Sequence, residues 1–181
     1  VLDRQGNEVT TSVTNLDVHD IARSSRTYGL RGYFVVIPIE AQHPVVEKII
    51  EHWSSGAGKK RMPERTEAIG LVRVARSLEE AIAEIEAQEG ESPRLVSTSA
   101  KDGPERSGYA EELERIERDS RPTLLLFGTG HGLSPKVLER CDSILAPIEG
   151  PTPYNHLSVR AAVAITLDRL FGVSDSANNP I

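Results

Sequence analysis

The sequence predicts an α/β domain built on a parallel sheet covered by helices on both faces. Three observations carry this expectation. Short apolar runs rich in β-branched residues recur along the chain, amphipathic stretches at helical spacing separate them, and the two kinds alternate from end to end.

The opening Val1-Leu2 followed by DRQGNEV reads as a strand end, a turn at Gln5-Gly6-Asn7 and an extended piece through Val13. The chain starts inside an element, so a few residues of a preceding strand are expected upstream. Asn15 or Asp17 is expected to cap a helix with Val18, Ile21, Ala22 and Ser25 on one side, ending at Gly29. GYFVVIPI, residues 32–39, has the unbroken apolar character of a strand buried on both faces. Pro44 opens a helix with Val46, Ile49, Ile50 and Trp53 inward and Gly56 as its stop. A loop over residues 59–65 leads to a strand in AIGLVRVA. Ser77 and Glu80 then form a capping box for the helix SLEEAIAEIEAQEG.

PRLVSTSAK is a strand, YAEELERIERDS a short charged helix, and PTLLLFGTG a strand. SPKVLERCD is a helix opened by Ser134-Pro135, and SILAPIEG is a short strand. The last helix is expected from about His156 to Phe171, with Val159, Ala162, Val163, Leu167 and Leu170 inward. These elements make one domain over residues 1–173, and the polar remainder, 174–181, is expected to be a flexible tail.

A chain of 181 residues can bury a core without staples. The lone Cys141 cannot form an intrachain disulfide, which suits a reducing compartment. No run approaches the roughly 20 apolar residues of a membrane span. A cytoplasmic protein without membrane attachment is expected. The net charge of −6 and pI near 5.4 repel polyanions at long range, so nucleic-acid binding would need a local patch. Lys59, Lys60, Arg61 and Arg65 supply one, the alternative being a solvated loop with a few cations.

Ligands of open parallel sheets bind beyond the carboxyl ends of the strands. Four segments fall there: residues 15–26, 97–101, 128–134 and 147–158. Gly128-Thr129-Gly130-His131-Gly132 lacks the spacing of a dinucleotide fingerprint, and neither a phosphate-binding GxxxxGK[ST] nor a GxSxG elbow occurs. The five histidines lack zinc-ligand spacing, so no metal is expected.

The segments NLDVHDIARSSRTYG, LVSTSAK, LLLFGTGHGLSP and LAPIEGPTPYNHLSVRAAVAITLDRL together resemble the SPOUT class of knotted S-adenosylmethionine-dependent RNA methyltransferases. Residues 20–29, DIARSSRTYG, follow that class's first motif closely. Residues 128–134 stand in the second motif and residues 146–150 with 154–158 in the third. The resemblance covers nearly the whole chain. It implies a three-layer α/β sandwich whose C-terminal segment threads a loop as a deep trefoil knot, and a homodimer joined through its first and last helices. S-adenosylmethionine is the implied cofactor, and tRNA or rRNA the implied substrate.

The cofactor would be held, largely through backbone, by Thr98, Ser99, Phe127, Gly128, Thr129, Gly130, Gly132, Leu145, Ile148, Gly150, Tyr154, Asn155, His156, Leu157 and Ser158. Arg23, always cationic and able to hold a phosphate or orient a hydroxyl, is the expected catalytic residue, with Asp20 positioning it or accepting a proton. Lys59, Lys60, Arg61 and Arg65 would face the RNA. His19 and His156 are further candidate bases, while Trp53 reads as core or interface. Three positions depart from the class. The acid of the second motif is replaced by Gly130 or His131, the asparagine of the third is displaced to Asn155, and Asp20 stands where asparagine is usual. A non-catalytic S-adenosylmethionine- or nucleotide-binding protein of the same fold is therefore the competing reading.

Overall fold

The computed structural model describes residues 1–55 and 57–173; the expected tail and the expected stop at Gly56 lie outside the described residues. Among the described residues, six strands form two parallel groups. Strand β1 (Tyr33–Val36) pairs with β2 (Val72–Ala75). Strands β3 (Arg94–Ser97), β4 (Arg106–Ser107), β5 (Thr123–Leu126) and β6 (Ser143–Leu145) lie in the order β4-β6-β3-β5. The register places Arg94 opposite Thr123 and Val96 opposite Ser143.

Helix α1 (Asn15–Thr27) is capped by Thr14, one residue before the first expected cap. The Thr14 hydroxyl accepts from the Asp17 amide at 3.2 Å, and the Asp17 carboxylate accepts from the Thr14 amide at 3.1 Å. Asp17 thus serves as the returning acid of a capping box. The four residues expected to face inward are the four that are buried.

β1 is shorter than expected and more deeply covered on one face than on the other: Val35 and Ile37 are buried, Phe34 is half-buried and Val36 is 44% exposed. Pro38 has no amide to extend the ladder, and β1 has a hydrogen-bonded neighbour only in β2 among the described residues. Helix α2 (His43–Ser54) follows, with Pro44 in its first turn and Val46 buried.

The expected basic loop is two short helices, α3 (Ala57–Arg61) and α4 (Pro63–Ile69). Pro63 is preset for a helix start, and the helix carries Ala68 and Ile69 into the core, so the strand expected over AIGLVRVA begins only at Val72.

Helix α5 (Leu78–Glu89) is capped by Ser77, whose hydroxyl accepts from the Glu80 amide at 3.2 Å. Glu80 returns to the Arg76 amide rather than to that of Ser77. Helix α6 (Tyr109–Arg118) buries Glu112 against Arg94, whose guanidinium also donates to Ser143 Oγ at 3.0 Å. The two-residue strand β4 had no sequence signal. α7 (Pro135–Leu138) is one turn, and α8 (Val159–Phe171) starts after its cap Ser158, later than expected.

Three apolar clusters make the core. One joins α1, α2 and α4 to β1 and β2 through Val18, Ala22, Val35, Val46 and Ile69. The second bridges the two groups of strands, with Ile21 of α1 and Val163 and Leu167 of α8 packed among Tyr33, Leu125 and Phe127. The third sets Val96, Leu145 and Leu170 against α6. At the N-terminus, Leu2 and Glu8 form an antiparallel bridge around a turn in which the Asp3 carboxylate accepts from the amides of Gln5 and Asn7, both at 2.8 Å. No described helix is long and apolar enough to cross a membrane, and no described group of acidic, histidine or cysteine side chains could hold a metal ion.

Candidate functional site

Strand β3 lies between β5 and β6, so the connections leaving this part of the sheet diverge to opposite sides. A crevice outside the carboxyl ends of the strands forms at such a switch point. Three loops leave the carboxyl ends of the adjacent strands β3, β5 and β6 there.

The first follows β3. The Thr98 amide and hydroxyl both donate to Leu126 O, at 3.0 and 3.1 Å, so this threonine extends the ladder by one residue. Ser99 closes a turn, its hydroxyl donating to Lys101 O and accepting from Lys101 N, each at 3.0 Å. The second loop follows β5 and folds back on itself. A Cβ on Gly128 would stand 2.9 Å from Leu133 N and 3.0 Å from Gly132 C, so glycine there serves the loop's own closure. Gly130 and Gly132 adopt φ of +60° and +101°, the left-handed region that favours glycine.

The third loop follows β6. Leu145 has its side chain fully buried in the core. Ile148 is half-buried, and the α-carbon of Gly150 faces open space. Asn155 Nδ2 donates to Ala100 O at 2.9 Å, tying this loop to the first. Tyr154 is 72% exposed, with its ring edge-on to His156 at 5.3 Å. Leu157 is also exposed, and Ser158 caps α8.

Arg23 and Asp20 lie elsewhere on the site's border. With Ser24, Thr27 and Tyr28 they form the α1 wall of a cavity of about 570 Å³, whose α8 wall is Ser158, Arg160, Ala161 and Ala164. Arg160 Nε stands 3.7 Å from Asp17 and 3.8 Å from Asp20, so Asp20 faces a cation from the opposite helix. The Tyr28 hydroxyl donates to Asp168 at 2.9 Å, and that bond pushes its pKa up. Ser158 belongs both to this cavity and to the third loop, which makes it the joint between the two regions. Sequence reasoning does not assign Ser24, Thr27 or Ala164 to a site; their spacing on the outer side of two helices gives a signal only once the helices are known to be neighbours.

The basic residues gather around Trp53. Lys59, Lys60 and Arg61 are exposed, and Arg65 lies over the indole with Cζ 5.0 Å from the ring centroid. His19 and His52 meet the same ring edge-on at 5.7 and 5.2 Å. Burial, then the neighbouring Arg65 charge, holds His19 below the ordinary imidazole value. Trp53 is thus the packed base under the basic segment.

The sequence pattern of the S-adenosylmethionine-dependent RNA methyltransferases matches residues 1–172. The chain belongs to this family. A tRNA (guanine-N(1)-)-methyltransferase of Oleidesulfovibrio alaskensis is 47% identical over 172 residues, covering 95% of this chain and 40% of that protein. The chain therefore spans about two fifths of the length of that relative. An uncharacterized protein of Aquifex aeolicus is 45% identical over 170 residues, 94% of this chain and 83% of its own. Among solved structures, TrmJ of Z. mobilis shares the fold with a TM-score of 0.58 at 15% identity, over 91% of this chain and 66% of that one. The SPOUT resemblance read from the motifs accords with these findings.

The cofactor of this family is S-adenosylmethionine. The residues fit that cofactor. A Cβ on Gly132 or Gly150 would meet no atom within 4 Å, and Phe127, Leu133 and Ile148 of the same loops are half-buried apolar side chains. The Thr98 and Ser99 hydroxyls already donate to Leu126 O and Lys101 O, which leaves main-chain groups and the remaining acceptor capacity of those hydroxyls for polar contacts.

Proposed function

We propose that this chain transfers the methyl group of S-adenosylmethionine to a nucleotide of tRNA. The observation that supports it most is the presence of three glycine- and hydroxyl-bearing loops at the carboxyl ends of three adjacent parallel strands, with Asn155 bridging two of them. The cofactor supplies an electrophilic methyl on sulfur. The chain's part is to hold it and to bring a nucleophilic nitrogen or oxygen of the RNA into line, since positioning supplies much of the rate in such a transfer. Loops 97–101, 128–133 and 145–158 bind the cofactor, chiefly through backbone, and with Phe127 beside them include the fifteen residues named from the sequence. Arg23 holds a phosphate or ribose of the substrate, and Asp20 orients Arg23 or takes the proton released. Lys59, Lys60, Arg61 and Arg65 hold the RNA backbone.

The same reading assigns one domain over residues 1–173, a three-layer sandwich closed by a C-terminal trefoil knot, and a cytoplasmic homodimer joined through α1 and α8. Dimerisation would close the open side of the α1–α8 cavity against the partner. The tRNA substrate rests on the name of the Oleidesulfovibrio relative. Guanine N1, the acceptor in that relative's name, is one atom to test, and because the matched part is only two fifths of that protein the other base and ribose positions are tested beside it.

The experiment is methyl transfer from labelled S-adenosylmethionine to unmodified tRNA and rRNA, followed by digestion to nucleosides and mass spectrometry. A methylated nucleoside from tRNA is expected. Label confined to rRNA overturns the substrate, and cofactor binding without transfer to any RNA moves the non-catalytic reading ahead.

A further inference from the structure

The loop after β5 has a second partner, and it comes from the far end of the chain. Leu2 N donates to Gly132 O at 3.0 Å, and Leu2 O accepts from His131 N at 3.0 Å. These two bonds run in both directions between the same short segments, as in a strand pair. Thr11 and Thr129 bring their hydroxyls to 2.5 Å, and Lys136 Nζ lies 3.5 Å from Glu8. The Cβ that Gly130 lacks would stand 2.9 Å from Leu2 O. At φ +60° that residue already favours glycine, and the approach of Leu2 closes the remaining room.

The hairpin that carries Leu2 is rigid on its own account. Val9 N donates to Val1 O at 2.8 Å and Asp3 N to Asn7 O at 2.9 Å, so the main-chain groups on either side of Leu2 face the return strand. The Leu2 amide faces the glycine loop instead. The turn is further closed by the Asp3 carboxylate, whose pKa is held down by its hydrogen bonds with Asn7.

We propose that residues 2–11 are a positioning segment for the cofactor loop: the hairpin clamps Thr129–Gly132 through Leu2 and Thr11 and thereby sets the wall against which S-adenosylmethionine binds. On this account glycine at 130 answers to the hairpin, while Gly132 and Gly150 answer to the ligand. The proposal rests on the reading of residues 128–133 as part of the cofactor site. Its energetic reasoning is that a backbone loop with left-handed residues has several accessible shapes, and each bond to a rigid neighbour removes some of them before the ligand arrives.

The test is a double-mutant cycle read by calorimetric titration of S-adenosylmethionine into the whole chain. Leu2→Pro removes the amide that faces the loop and none that closes the hairpin. Gly130→Ala pushes the loop off Leu2 O. Each is expected to weaken binding roughly two- to tenfold, the worth of one or two net hydrogen bonds, with stoichiometry unchanged. The double variant is expected to be little worse than either single one, because both break the same pairing. Thr11→Val, at an exposed position, keeps the test available if Leu2→Pro does not fold; it should raise the KM for S-adenosylmethionine and leave kcat alone. Unchanged affinity in the singles with a lowered melting temperature would show a purely structural hairpin and overturn the proposal. Additive losses in the double variant would overturn it too. A parent protein that binds no S-adenosylmethionine would instead overturn the cofactor reading beneath it.

Discussion

Arg23 is exposed on α1 with open cavity in front of it, whereas its neighbour Asp20 is engaged across that cavity by Arg160. A cation open to a substrate phosphate differs in kind from a carboxylate that already shares one guanidinium with Asp17. Replacing Arg23 by alanine should therefore lower kcat for methyl transfer by at least about tenfold while cofactor affinity stays within about twofold, since a positioned cation acts chiefly in the transition state. Transfer at the parent rate would remove Arg23 from the mechanism. His19 gives a pH prediction of definite sign. Burial and Arg65 lower its pKa below the ordinary 6.5, with Arg23 and His52 acting in the same direction and Asp20 against them. The unfolded chain therefore binds the proton more readily, and stability falls as pH drops through 6.5 towards the lowered value. His19→Gln should flatten the decline of melting temperature between about pH 7.5 and about pH 5.5, measured by circular dichroism against the parent.

At the scale of elements, α1 shows what local chemistry can fix. Removing the cap by Thr14→Ala should cost about 1 kcal/mol in a denaturant titration. The buried pair Arg94–Glu112 is a larger commitment: Glu112→Ala would leave a buried guanidinium short of its partner and cost about 3–5 kcal/mol. The inward face of α1, the start of α2 at Pro44 and the Ser77 cap of α5 are legible in the sequence, because each depends on residues within a turn of one another. The two helices over residues 57–69 read instead as a loop over 59–65 and the start of a strand at Ala68, because α3 is short and glycine-bearing and the proline that starts α4 also serves to break structure. β4 is illegible because its two residues are a strand only by virtue of β6 beside them. The glycines of the second loop are recognisable as a site, but one reason is visible in the sequence where the structure supplies several. Gly128 closes against Leu133 and Gly130 meets Leu2, a residue far away in the chain. A Gly128→Val change should accordingly disorder the loop itself, seen as lost cofactor binding together with a lower melting temperature, rather than simply obstruct a ligand.

For the whole molecule, a net charge of −6 means that the proposed RNA substrate would have to be caught locally. Lys59, Lys60 and Arg61 stand exposed on α3 beside the Arg65–Trp53 stack. Neutralising all three should weaken RNA binding and reduce the slope of log affinity against log salt by about 0.7–0.9 for each phosphate no longer neutralised, with cofactor affinity unchanged. An unchanged slope would place the RNA on another face. The division of the strands into β1-β2 and β4-β6-β3-β5 bears on how the molecule opens. No ladder hydrogen bond joins the two groups among the described residues; α1, α8 and the side chains of Tyr33, Leu125 and Phe127 hold them together. Cooperative units follow contiguous hydrogen-bonded motifs, so the two halves are expected to open as separate units. In deuterium exchange the amides of β1 and β2 should then share one protection level and those of β3, β5 and β6 another. A crevice bounded by the second unit would stay assembled while the first, with the basic helices, opens and closes around an RNA.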